Sequence, residues 1–233
     1  MQINGSVALV TGANRGLGRH FVRQLLERGA AKVYATARDP ERIDIPGVSR
    51  LRLDITDPAQ VAAAAAAAPD VTLLVNNAGI STSTNLVTGD LDGIRRELDT
   101  HFYGTLAVVR AFAPVLGNNG GGAILNVLSA MSWFSYDGAN AYSVAKAAQW
   151  ALTNGVRLEL AAQGTLVTGL HLGAADTDMM AGYDGEKADP AEIVRAGLDG
   201  LAAGRIEVLA DDWSSHVKAS LAADPREFYT AVV

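Results

Sequence analysis

Short apolar runs recur along this chain, separated by amphipathic stretches of helical period. The runs fall at residues 6–10, 32–36, 49–53, 71–75, 123–128, 166–172 and 206–209. They are blocks of Val, Leu and Ile rather than apolar/polar alternations, which is how strands of a parallel sheet covered on both faces read. Between them the pattern predicts helices over 18–28, 59–68, 92–116, 141–163, 190–202 and 212–222. Asp57-Pro58 makes an N-cap and first-turn pair for the second helix. The alanine run over 62–68 needs no explanation beyond helix propensity. Strictly alternating strands and helices specify an α/β, doubly wound Rossmann-type sheet in three αβα layers. Without a linker, composition break or repeat, residues 1–233 are expected to form one dinucleotide-binding and catalytic domain.

Composition narrows the function. Apolar residues at 49% and charged residues at 19% suit an ordinary globule. A net charge of −6 argues against a nucleic-acid binder, which needs a basic footprint. No apolar run is long enough to span a membrane, and residues 1–5 carry no charged leader, so cytoplasmic residence is expected. The chain has no cysteine, which removes thiol catalysis and thiolate-bound zinc. His20, His101, His171 and His216 show no metal-ligand spacing, so no metal centre is expected.

Three stretches carry candidate chemistry. The first, T-G-A-N-R-G-L-G over 11–18, follows the first strand directly. Gly12, Gly16 and Gly18 let backbone pass close to a pyrophosphate held at a helix N-terminus. The second is Arg38, just past the tip of strand two, where an acidic residue would bind the ribose hydroxyls of NAD. A guanidinium there favours NADP(H), with Arg15 of the glycine loop expected to reach the same phosphate; NAD(H) is the second choice. The third is A-Y-S-V-A-K over 141–146, with Ser129 upstream. Tyr142 and Lys146 at i, i+4 share a helix face. Bringing a phenol from its ordinary pKa to neutrality requires about 4 kcal/mol. One cation about 4 Å away at an effective dielectric near 20 supplies about that much, so Lys146 is expected to acidify Tyr142.

Together with Asp54 and Asn76-Asn77-Ala78-Gly79, these motifs closely resemble the short-chain dehydrogenase/reductase family, in its order and at its spacing, over nearly the whole chain. The resemblance implies a seven-stranded parallel sheet with helices on both faces and hydride transfer between NAD(P)(H) and a carbonyl or alcohol. It implies that Ser129 holds the substrate oxygen, Tyr142 protonates it, and Lys146 binds the nicotinamide ribose. By the same resemblance Asn14, Leu17, Asp54, Ile55, Asn77, Ala78, Gly79 and Gly173 join the cofactor site, Asp54 either meeting the adenine or only capping its loop, and Thr177 contacts the nicotinamide carboxamide. Two positions depart from the pattern. His101 stands where the family has the asparagine of its proton relay, and Leu172-Gly173 replaces Pro-Gly, expected to loosen the loop that follows.

Trp133, Phe134 and Tyr136 flank the reacting centre, and Met179, Met180 and Tyr183 lie in a short substrate loop at about 177–190 that Gly182 and Gly185 let move. Trp133 and Phe134 suit either a pocket wall or a core or subunit interface. The strand and helix at 206–222 and the tail to Val233 are expected to cover the pocket or a neighbouring subunit in a homodimer or homotetramer. The function expected is NADPH-dependent reduction of a hydrophobic ketone or aldehyde. The alternative is a non-catalytic NADP(H)-binding sensor or scaffold on the same fold, and a methyltransferase leaves Tyr142, Lys146 and Arg38 without a role.

Overall fold

The computed structural model describes the backbone of residues 1–232 and the side chains of 1–229. Seven parallel strands, β1 (Val7–Val10), β2 (Lys32–Ala37), β3 (Ser49–Arg52), β4 (Leu73–Asn76), β5 (Ala123–Val127), β6 (Leu166–His171) and β7 (Glu207–Leu209), lie in the order β3-β2-β1-β4-β5-β6-β7. The order reverses between β1 and β4, where Val10 pairs with Val75, so the crevice of a doubly wound sheet opens beyond those two strand ends.

The central strands are buried on both faces, which explains their apolar composition, whereas the edge strand β3 leaves Arg50 and Arg52 exposed. Ala8 and Val10 of β1 pack with Phe21 and Leu25 of α1 (Gly16–Glu27) and Ile193 of α6 (Pro190–Ala202). Leu9 points to the other side, against Val61 of α2 (Pro58–Ala67) and Phe112 of α4 (Thr105–Asn118). Asp57 caps α2 through the amides of Ala59 and Gln60, with Pro58 in the first turn, as expected.

Three differences from the sequence reading bear on function. The helix expected over 92–116 is α3 (Leu91–Leu98) and α4, joined by a π-helical turn at Asp99–Gly104. Gly104 permits the join, because a Cβ there would lie 2.9 Å from the Ile55 side chain. The helix α5 (Asn140–Glu159) stops before residue 163. Beyond α7 (Asp212–Ser220) stands an unexpected α8 (Pro225–Val232), started by Asp224-Pro225, the same pair that opens α2. Phe228 of α8 packs on Phe134 and Trp213, and the Tyr229 hydroxyl accepts from the Ser135 amide at 3.2 Å. The tail therefore braces the segment between Ser129 and Tyr142; Val233 lies outside the described residues.

Candidate active site

The glycine loop and the end of β4 form one braced unit. Asn77 Nδ2 donates to the carbonyls of Thr11 and Gly12 at 2.9 and 3.2 Å, and the Thr11 hydroxyl accepts from the Asn77 and Ala78 amides at 2.9 and 3.0 Å. Gly12 and Gly16 have φ of +66° and +51°, a region that only glycine enters cheaply. Gly18 is required by space: a Cβ there would sit 2.1 Å from the Gly12 carbonyl oxygen and 2.6 Å from Asn77 Nδ2. Gly18→Ala is therefore expected to cost about 1–3 kcal/mol, the usual scale of overpacking. A urea midpoint equal to that of the unaltered chain would contradict this.

Two clefts meet at Ala78 and Gly79. The first is lined by Gly12, Asn14, Arg15, Gly16, Leu17 and Asn77, then by His101, Ser129, Tyr142, Lys146, Leu172, Gly173, Thr177, Met179 and Met180. The second is lined by Arg38, Asp54, Ile55, Ile80, Arg96, Asp99 and Thr100. Joined end to end over the N-terminus of α1, they fit a dinucleotide, with its pyrophosphate at the helix end and one half of the molecule in each cleft. Arg38 and Arg96 are exposed and have no ion-pair partner among the described residues. Arg15 does not join Arg38: it lies in the first cleft and pairs with Asp178 of the substrate loop at 3.6 Å. Asp54 caps its own loop, accepting from the Thr56 amide and hydroxyl at 3.0 and 2.7 Å.

Tyr142 lies in the first turn of α5, and Lys146 stacks one turn later, its Nζ 5.5 Å from the phenol ring centroid. Ser129 leaves β5 in extended conformation, and its hydroxyl accepts from the Met131 amide at 3.1 Å and shares the first cleft with Tyr142. Lys146 is buried and donates to the Val127 carbonyl and Gln149 Oε1, both at 2.9 Å. Burial pulls its amine down to about 7, partly opposed by the Glu97 carboxylate. Burial also pushes the Tyr142 phenol up, helped by Glu97 and opposed by Ser129. The expected softening of the phenol by its neighbour is thus reversed. Both groups have left water, which penalises both charged forms, and the Lys146 protons go to Val127 and Gln149 rather than to the phenol.

His101 comes from the π-helical turn, a frequent signature of functional sites. Its ring packs edge-on against Tyr142, centroids 5.2 Å apart. Gly79 makes room for it, since a Cβ there would lie 2.7 Å from His101 Cε1. Glu97, one turn earlier, escaped the sequence reading. It is 0% exposed, with Oε1 accepting from the Thr82 amide at 2.6 Å and Oε2 3.3 Å from His101 Nε2. Its i, i+4 spacing to His101 was the available signal, but burial of a carboxylate is not written in a sequence.

The flanking aromatics line neither cleft. Trp133 stacks on His171 at 3.9 Å and meets Trp150 edge-on, while Phe134 joins Trp213 and Phe228. Trp133 and Phe134 are therefore not pocket walls: both are half-buried against a small cluster of Ala130, Val217 and Phe228. Nor is the chain slack after Leu172: the Leu172 carbonyl accepts from the Ala130 amide at 2.8 Å, and the Gly173 amide donates to Asp211 at 2.6 Å. Met179 and Met180 line the first cleft, whereas Tyr183 is 41% exposed outside it.

Comparison with known proteins gives a consistent picture. A solved short-chain dehydrogenase from Burkholderia cenocepacia, in complex with NADP, is 39% identical, with a TM-score of 0.96 over 100% of this chain and 99% of that one. A short-chain dehydrogenase from Sphingobium yanoikuyae, in complex with NADPH, is 27% identical with a TM-score of 0.80, covering 93% of this chain and 94% of the other. Among curated proteins, a 3-alpha-(or 20-beta)-hydroxysteroid dehydrogenase of Mycobacterium bovis is 32% identical over 227 residues, 91% of this chain and 85% of the relative. No helix among the described residues is long and apolar enough to cross a membrane. Residues 6–188 match the model of the short chain dehydrogenase family, and with that match the chain belongs to the short-chain dehydrogenases, as an oxidoreductase of that family.

Proposed function

We propose that the protein reduces a hydrophobic ketone or aldehyde with NADPH. The observation that carries the proposal is the meeting of Ser129, Tyr142 and Lys146 in one cleft whose far end continues into a second cleft bearing two unpartnered guanidiniums, Arg38 and Arg96. The bound cofactor supplies the hydride that reduces the carbonyl carbon. Ser129 holds the carbonyl oxygen, and Tyr142, whose burial keeps the phenol protonated, donates its proton to that oxygen. Lys146 positions the ribose and, with an amine near neutrality, passes a proton back toward the phenol. Leu172, Met179 and Met180 form the apolar wall against which the substrate rests.

A non-catalytic sensor gains no support, because it leaves the convergence of these three side chains without a purpose. NADPH oxidation against a panel of aryl and alkyl ketones tests the reading; tight NADPH binding without turnover of any of them overturns it. Arg38 is proposed to hold the 2′-phosphate. Arg38→Asp is therefore expected to lower the NADPH/NADH preference at least about tenfold, the scale of one lost charged contact. A preference ratio left unchanged, measured as relative kcat/KM, places the phosphate elsewhere.

A further inference from the structure

Nothing in the reductase reading uses Glu97, although the chain has sealed its carboxylate beside the reacting centre. An isolated buried carboxylate is strongly unfavourable, and a side chain needed only to fill space would be apolar. Burial pushes this carboxyl up, but the neighbouring His101 ring and the Thr82 amide pull it further down, so its pKa lies below the ordinary value, although Oε2 has no hydrogen-bond partner among the described residues. Oε2 lies 3.3 Å from His101 Nε2, close but without a hydrogen bond, and the Thr82 side chain also acts on the carboxylate.

The surroundings of that ring fix its tautomer. His101 Nε2 lies 3.0 Å from the Ile80 carbonyl oxygen and 3.3 Å from Glu97 Oε2, both acceptors. The Ile80 amide, the one donor nearby, is farther at 3.4 Å. The nearest partner, the Ile80 carbonyl, and the carboxylate charge beside it favour the proton on Nε2 over acceptance from the more distant amide. Nδ1 then carries a lone pair, and it is buried without a hydrogen-bond partner among the described residues. Orphaned buried nitrogens are rare in folded proteins. This one belongs to a ring that packs against Tyr142 and shares a cleft with Lys146.

We propose that Glu97 is a positioning residue that holds His101 as the Nε2–H tautomer, so that the bare Nδ1 serves as the relay acceptor where the family pattern has asparagine. The inference rests on the reductase reading for its chemistry, but not for its geometry. In the relay, a proton from solvent reaches Nδ1 and makes an imidazolium whose Nε2–H remains beside Glu97. That proton then leaves toward the Lys146 amine, which restores Tyr142 after the phenol has given its own proton to the substrate oxygen. His101 returns to neutral, and no other reagent is consumed. The charged or titratable groups facing the ring are Glu97, Lys146 and Tyr142.

Two measurements test this. Nitrogen-15 NMR of the full chain, with His101 assigned by its absence in His101→Asn, is expected to show the Nε2–H tautomer; an Nδ1–H tautomer overturns the proposal without reference to any substrate. In Glu97→Gln, an amide donor replaces the acceptor and the ring is expected to turn over to Nδ1–H. With an aryl methyl ketone as probe, kcat then falls about tenfold or more, within the range of proton-transfer catalysis, and NADPH affinity holds. In the His101→Asn background the same change is expected to do no further harm, because an amide needs no tautomer fixed. Equal losses in both backgrounds reduce Glu97 to packing and sink the inference. Should Glu97→Gln fail to fold, the tautomer of the unaltered chain still decides. A chain that turns over no ketone yet shows Nε2–H refutes the reductase reading and the relay with it, and leaves only the tautomer standing.

Discussion

Tyr142→Phe is expected to lower kcat by between about 10² and 10⁴, the range that a positioned proton donor contributes, while NADPH affinity stays within about threefold, or roughly 0.7 kcal/mol. The substitution removes one oxygen from a ring whose place is otherwise fixed by its helix turn, by His101 against its face and by Lys146 above it. Packing is therefore conserved, and the loss reports chemistry rather than structure. Because burial keeps the phenol protonated, reduction in the unaltered chain should not decline near pH 7 through ionisation of Tyr142. A variant that retains more than a tenth of the rate on every ketone would move the acid elsewhere. Ser129 and Thr177 are the other hydroxyls lining the cleft, and Ser129→Ala or Thr177→Val in the same background would then locate it.

Much of this was legible before any coordinates. Periodicity placed every strand of the sheet: the central strands, buried on both faces, must be apolar throughout, while the edge strand β3 alternates exposed Arg50 and Arg52 with half-buried Ser49 and Leu51. The glycine loop was readable because three of its glycines meet backbone-level demands, positive φ at two and a 2.1 Å clash at the third. What stayed hidden depends on long-range packing. A π-helical turn follows from helix α3 and α4 meeting Ile55, not from local propensity. Trp133 and Phe134 were ambiguous because their partners, His171, Trp213 and Phe228, are remote in sequence. Arg15 was assigned to the phosphate by charge alone, and Asp178 competes for it across a loop. The tail helix α8 had its signal in Asp224-Pro225, but so short an element stands only by packing, which the sequence does not display. The electrostatics of Tyr142 and Lys146 were misjudged for a related reason. Spacing gives a distance between charges, whereas burial sets what each charge costs.

That cost gives the second large effect. Lys146→Met is expected to abolish most turnover and yet stabilise the chain at neutral pH. Unfolded, the amine titrates at its ordinary 10.5; folded, burial brings it to about 7. Between those values the unfolded chain binds a proton that the folded chain does not, so stability rises with pH through that window. Below pH 7 the full penalty persists, at about 3–5 kcal/mol for a shift of this size. Methionine fills similar volume and removes the penalty. It also strands the Val127 carbonyl and Gln149 Oε1, each worth about 1 kcal/mol or more when left without a donor. The balance is a gain of roughly 1–2 kcal/mol at pH 6–7, which shrinks as the pH rises and turns into a loss of about 1–2 kcal/mol near pH 10, where only the stranded acceptors remain. Urea midpoints across that range measure it. A variant less stable than the unaltered chain at pH 6.5 would mean that the lysine's hydrogen bonds outweigh its desolvation, and that the amine is charged in the folded protein. In that event the proton return to Tyr142 starts from an ammonium, and the fall in kcat should track the loss of a fixed positive charge: Lys146→Arg would then retain activity that Lys146→Met lacks.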